Sequence, residues 1–226
     1  MKDRIYVCHT YYHVYVTILK ELALPKEKQG GATLVLSKMS NDFESLKQRI
    51  DKTGFFETVV EFDEKRDTFF PELMELREEK GSTLANMIAR IKYTKLYAKL
   101  EEPYIPVDFK QYKEVYVYCD SDPIGFYLNQ NKIKYHALED GLNSVKNIDH
   151  AHYENRGHFK LKAFMSKKLN LIFVQNGYGK YCIDMEVNDI SAIKIPCKYY
   201  VEVSRKALTD RLTREDKDLL LEIFVR

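Results

Sequence analysis

The feature that most narrows the fold is an alternation of short apolar runs, each ending in polar residues, with stretches of helical periodicity. "RIYVCHT" runs into "HVYVTILKEL", whose apolar residues recur on one helical face, and "ATLVLSKMS" is a second compact run. Asn41 or Asp42 is the expected N-cap for "FESLKQRIDKTG", with Gly54 as its C-terminal stop, and "FETVVEFDE" is the third strand. Strand, helix, strand, helix, strand with short connections implies right-handed crossovers and a parallel sheet.

From Thr68 to Leu100 the pattern changes to two amphipathic helices, "FPELMELREEKG" and "STLANMIARIKYTKLYAKL", with Leu84, Met87, Ile88 and Ile91 on one face. The sheet resumes at "EVYVYCD", a helix follows with Pro123 at its first position, and "KIKYHALED" is the fifth strand. The expected class is therefore α/β, a Rossmann-like parallel sheet with helices on both faces. It spans residues 1–150, with a helical insertion at about 68–100. Residues 151–226 read as a separate interdomain segment: a basic amphipathic helix from about Phe159 to Phe173, the strand-like pieces "YCIDMEV" and "KYYVEVS", and a final charged helix.

Composition excludes several classes. Apolar residues are 45% of the 226 and charged residues 31%, which suits an ordered globular chain. Thirty-six basic residues against 34 acidic leave a net charge of +2, too little to mark a nucleic-acid binder. Cys8, Cys119, Cys182 and Cys197 form no paired spacing, as in a reduced cytosolic protein. The apolar start is broken by His9, Thr10 and His13 and lacks a small-residue cleavage site, and no window reaches the ~20 apolar residues of a membrane span.

In a parallel sheet of this kind ligands bind beyond the carboxyl ends of the strands. Three polar exits share that edge: "CHTYYH", "CDSDP" and "LEDGLNS". At the last, Glu139 and Asp140 are adjacent carboxylates that point in different directions, so that one can be held by backbone N–H groups while the other faces a cleft as a base. The competing reading is a turn in which Asp140 bonds its own backbone and Gly141 supplies positive φ; Asn143 lies just beyond. Asp120 and Asp122 have the D-x-D spacing of a divalent-metal site, but Asp122 before Pro123 suits a helix cap better. His9, Thr10, Tyr11, Tyr12 and His13 offer imidazole, hydroxyl and phenol groups to a sugar or phosphate, or simply pack. His150, His152 and His158, with Asp149 and Glu154, match no standard zinc spacing and read as a solvated loop. The helix "HFKLKAFMSKKLNLIF" puts Leu161, Phe164, Met165, Leu169 and Ile172 on one face and Lys160, Lys162, Lys167 and Lys168 on or beside the other. A core contact with a solvated lysine face is the expected arrangement, and an anionic membrane surface the alternative.

Two stretches, "IYVCHTYYHVYVTILKE" and "YKEVYVYCDSDPIGFYLNQNKIKYHALEDGLNSV", agree in order and spacing with a known pattern. On them the chain resembles the bacterial glycosyltransferases of family 52, which include lipooligosaccharide sialyltransferases, and more distantly the bacterial polysialyltransferases. The close match covers about a third of the chain. The resemblance implies a GT-B-type enzyme of two Rossmann-like domains, with this chain as the N-terminal, acceptor-side half. It implies that the acidic-acidic-glycine motif, here Glu139, Asp140 and Gly141, carries the base, with Asp140 as the reactive member. Implied too are inverting transfer to a cell-surface glycan in lipooligosaccharide or capsule synthesis, a nucleotide-sugar donor such as CMP-sialic acid, and no metal or other cofactor. The family's His-Pro motif is lacking, and the apolar end "LLLEIFVR" suggests a sequence that continues past Arg226, so the chain as given is expected not to turn over alone. The expected partners are a glycan acceptor, lipid-linked or free, the inner face of a membrane and a second copy in a homodimer; the expected compartment is the cytoplasm. Two other readings stay open: a metal-dependent GT-A-type transferase using Asp120 and Asp122, and a noncatalytic acceptor-binding domain recruiting through Lys162, Lys167 and Lys168.

Overall fold

The structure is a computed structural model that describes residues 1–39, 43–64, 70–120, 122–141, 159–171, 177–193 and 199–225. Seven strands form one parallel sheet: β1 (Lys2–Cys8), β2 (Ala32–Ser37), β3 (Thr58–Phe62), β4 (Tyr112–Val117), β5 (Tyr135–Leu138), β6 (Cys182–Val187) and β7 (Tyr200–Glu202). Their spatial order, β3-β2-β1-β4-β5-β6-β7, grows outward in both directions from the β1/β4 pair. It is a Rossmann-like α/β sheet with helices on both faces.

The period of two along each strand sorts the core into two layers. Ile5, Val7, Val115 and Val117 join α4 (Thr83–Glu101) and α5 (Pro123–Gln130) on one face, where Tyr93, Tyr97, Ile124 and Leu128 are buried. Tyr6, Cys8, Leu34 and Leu36 face the other way, toward Val14 and Ile18 of α1 (Tyr11–Leu22) and Leu46 and Ile50 of α2 (Leu46–Thr53). On that second face α7 (Arg205–Thr209) packs on α1, and α8 (Arg214–Phe224) packs on α2. Beneath α1, Arg4 donates from Nε and Nη2 to the two oxygens of Glu21 at 2.8 and 3.0 Å, and Tyr6 donates to the same carboxylate at 2.8 Å. A buried charge satisfied this fully ties the helix to the first strand. The cysteines Cys8 and Cys182 are buried, Cys119 is half-buried and all three are free thiols; Cys197 lies outside the described residues. Among the described residues no helix is long and apolar enough to cross a membrane.

Several local expectations are corrected. The segment from 151, set apart as interdomain, supplies β6 and β7 to the same sheet, because its short apolar runs find open ladder edges beside β5. The first of the two inserted helices shrinks to a 3-10 turn at Pro71–Leu73 and a single turn, α3 (Met74–Arg77), since the backbone turns extended at Glu78 and left-handed at Gly81. In α4 the inward face is not the Leu84 stripe: Leu84 is 62% and Ile88 45% exposed, whereas Ala89, Tyr93, Tyr97 and Ala98 are buried. The tyrosines turn the helix, Tyr97 packing on Phe126 of α5 with ring centroids 6.1 Å apart, because aromatic rings bury more area than the aliphatic stripe. The proposed caps Asn41 and Asp42 lie outside the described residues; α2 starts after Ser45 and stops at Gly54, whose φ is 62°.

One glycine is needed for close approach. A Cβ on Gly125, in the first turn of α5, would stand 2.0 Å from the Asp120 carbonyl oxygen. Gly125→Ala should therefore push α5 off the β4 exit and cost about 3 kcal/mol, within the overpacking range. A urea midpoint within error of the parent's would refute that packing.

Candidate functional site

The site begins where strand order reverses. β1 and β4 are neighbours whose following helices leave to opposite faces of the sheet, which opens a crevice at their carboxyl ends. The exits of β1, β3, β4 and β5 bring His9, His13, Glu64, Cys119, Asp122 and Asp140 to this edge.

Thr10 is the N-cap of α1, and its hydroxyl accepts from the His13 backbone N–H at 3.2 Å. This cap sets His13 in the first turn, where its Nδ1 accepts from the His9 backbone N–H at 3.0 Å. With Nδ1 an acceptor, Nε2 carries the hydrogen and donates to Asp140 Oδ1 at 2.6 Å. The ring lies flat on Tyr118, centroids 4.0 Å apart, and the Tyr118 hydroxyl donates to the His13 carbonyl at 2.9 Å. Burial pushes the His13 pKa below its ordinary value despite the opposing attraction of Asp140, so the ring is neutral at pH 7. Both of its nitrogens are committed by this network, so the proton-accepting member of the pair is Asp140. The Asp140 side chain keeps 26% of its surface exposed.

Glu139 is divided from its neighbour as adjacent residues leaving a strand must be. It is buried, and its Oε2 accepts from the Asn188 backbone N–H at 2.6 Å, fastening the β5 exit to the β6 exit. That bond takes Glu139 out of the expected catalytic pair. Gly141 turns the chain at φ 57°, and its Cα hydrogens face the Tyr12 ring, which a Cβ would approach to 3.4 Å. Tyr11 and Tyr12, the first residues of α1, are 36% and 38% exposed. Asn143 and the histidines at 150, 152 and 158 lie outside the described residues.

His9 has a different setting. Its Nε2 lies 2.8 Å from Glu64 Oε2 and 3.9 Å from Asp122 Oδ2. Burial alone lowers the His9 pKa, but the charge and hydrogen bond of Glu64, aided by Asp122 and Asp140, more than offset it and hold it above the ordinary value. Glu64 also accepts from the Ser37 hydroxyl and, at 3.1 Å through Oε1, from the Ile124 backbone N–H. Ile124 is in the first turn of α5, so Glu64 fills the anion position at that helix N-terminus.

The alternative D-x-D metal site does not assemble. Asp120 is buried, and its Oδ2 accepts from the Tyr135 hydroxyl at 2.8 Å and the Gly177 N–H at 3.1 Å. Asp122 occupies the N-cap position of α5 but makes no side-chain cap bond, because Glu64 meets that helix end; its carboxylate turns to His9 and Cys119 instead. Among the described residues, the donors that come together are a ring nitrogen of His9, Cys119 Sγ and an Asp122 oxygen, within 4.8 Å of one another. That set suits zinc better than magnesium, but desolvation holds the Cys119 thiol well above its usual range and opposes ion capture.

Sequence reasoning missed Glu64, Cys119 and Tyr118. Glu64 was open to it: "FDE" ends the third strand at the same sheet edge as the other polar exits. No protein-family model and no curated protein matches the chain, so the site stands on its own geometry.

Burial raises the Asp122 pKa to about 6, with Glu64 and Asp140 adding to the rise and His9 opposing it. An acid whose folded pKa lies above its unfolded value of 3.8 destabilises the fold progressively as pH rises between the two. Asp122→Asn should thus unfold at nearly the parent's urea concentration at pH 4 and be more stable by roughly 2 kcal/mol at pH 7.5. A difference that does not change with pH would contradict the assigned environment.

Proposed function

We propose that this chain is the acceptor-side half of a GT-B-type, inverting glycosyltransferase of the sialyltransferase kind, with Asp140 as its base and no metal in the chemistry. The observation that carries the reading is the His13–Asp140 pair at the strand-reversal crevice: a half-buried carboxylate oriented by a neutral imidazole whose own lone pair is occupied. The acceptor hydroxyl gives its proton to Asp140 while its oxygen bonds to the anomeric carbon. The bond from that carbon to the nucleotide phosphate breaks on the opposite side, with inversion. His13 holds Asp140 rather than exchanging protons itself, which makes it a positioning residue.

A second observation supports the acceptor assignment. In nucleotide-binding sheets of this topology the phosphates sit on a helix N-terminus at the strand-order reversal. Here the Glu64 carboxylate occupies that end of α5, and a second negative group would meet it head on. The donor phosphates are therefore bound by a facing unit, and the exposed Tyr11 and Tyr12 offer ring faces and hydroxyls to the acceptor sugar. The orientation of Asp120 toward Tyr135 and Gly177 disfavours the alternative metal-dependent mechanism.

The test is transfer from a nucleotide sugar to a glycan acceptor by the intact transferase, assayed with chelator present. Asp140→Asn should lower kcat by about a thousandfold with acceptor KM changed only a few-fold. Unimpaired transfer by that variant, or loss of transfer on chelation, would overturn the assignment. Acceptor binding without transfer under any donor would reduce the chain to a noncatalytic recognition module.

A further inference from the structure

The helix α6 (Phe159–Leu169) is amphipathic in the opposite sense from a helix that covers a sheet. Its inward contacts are polar. Ser166 is fully buried and donates to the Tyr178 carbonyl at 2.9 Å; Lys167 donates to the carbonyls of Gly179 and Cys182 at 3.1 and 2.6 Å. Asn170, just past the helix, donates to the Asn129 carbonyl at 3.0 Å. These bonds fix the rotation of the helix, and three of its large apolar side chains point out: Leu161, Phe164 and Leu169 are 57%, 55% and 56% exposed, while Met165 is half-buried. The expectation of a core-facing stripe is corrected here, because carbonyl groups of the 177–182 segment draw Ser166 and Lys167 inward as donors, beside the backbone N–H that the Gly179 carbonyl also accepts from Cys182.

We propose that α6 is a membrane-surface helix, seating Leu161, Phe164 and Leu169 at the headgroup–acyl boundary of an anionic bilayer, with Lys160 and Lys168 on the lipid headgroups. Three observations favour lipid over a protein partner. Every charged residue of the helix is a lysine, and Lys160 and Lys168 are exposed beside the apolar residues. Lysine is depleted from protein interfaces, whereas at a bilayer its stem lies along the acyl boundary and its ammonium reaches the phosphates. The chain's net charge is only +2, so this concentration of positive charge is local to the helix. An isolated helix of 11 residues also presents far less than the roughly 800 Å² per partner of a stable protein interface. The inference stands apart from the transfer chemistry and survives if that reading fails.

The experiment is cosedimentation of the full chain with vesicles of phosphatidylcholine alone or mixed with phosphatidylglycerol, at low and high salt. Binding is expected only with the anionic lipid and should weaken with salt. Replacing Leu161, Phe164 and Leu169 together by Gln should lower it about tenfold or more, and Lys160→Gln with Lys168→Gln several-fold. The replaced side chains are exposed, so both variants should keep the parent's urea midpoint and circular dichroism. Parent protein that stays in the supernatant with anionic vesicles would overturn the proposal, as would vesicle binding unchanged in the triple variant. Self-association of the parent that the triple variant abolishes would instead assign the face to a second copy of the chain.

Discussion

The parallel pairing of β1 with β4 is the constraint on which the rest of the structure depends. β2 and β3 extend the sheet on one side of that pair and β5, β6 and β7 on the other, so right-handed crossovers send α1 and α5 to opposite faces. The loops after β1 and β4 must therefore diverge, and the crevice between them is a consequence of chain direction rather than of any one side chain. Polar residues at the strand exits are then gathered at one place, with helix N-termini and buried carboxylates close enough to shift each other's protonation.

Two histidines four residues apart, one before the α1 N-cap and one in the first turn of that helix, acquire opposite characters from their partners. His9 meets Glu64, a carboxylate with no exposed surface, and is held toward its cationic form. His13 is stacked on Tyr118 and fixed by a backbone N–H on one nitrogen, so it stays neutral and can only donate to Asp140. The first pair satisfies a helix end and joins three elements; the second leaves a carboxylate half-exposed at the crevice. The oriented carboxylate of Asp140 and the negative charge that Glu64 places at the α5 N-terminus are two results of the same electrostatic arrangement.

The outward apolar face of α6 follows from hydrogen-bond satisfaction overriding hydrophobic patterning. Turning Lys167 away from the carbonyls of Gly179 and Cys182 would forfeit charge-assisted hydrogen bonds of about 1.5–3 kcal/mol each, comparable with burying a leucine. With Lys167 committed to those carbonyls, Leu161, Phe164 and Leu169 stay on the outward face of the helix.

The sequence by itself determined the strand–helix alternation, the parallel sheet and the edge at which polar residues collect, because these follow from local periodicity and short connections. It also marked Gly54 as a helix stop and Glu139-Asp140-Gly141 as a strand exit where two acids part. Only the tertiary structure decided which acid serves which end: Glu139 is claimed by Asn188 at the exit of β6, 49 residues on, and Asp140 by a histidine 127 residues away. Glu64 reaching His9 from 55 residues away, and the aromatic packing that turned α4 on Tyr93 and Tyr97 rather than on Leu84 and Ile88, belong to the same class. Periodicity fixes what a residue can face; the partner that arrives from elsewhere in the chain fixes what it does face.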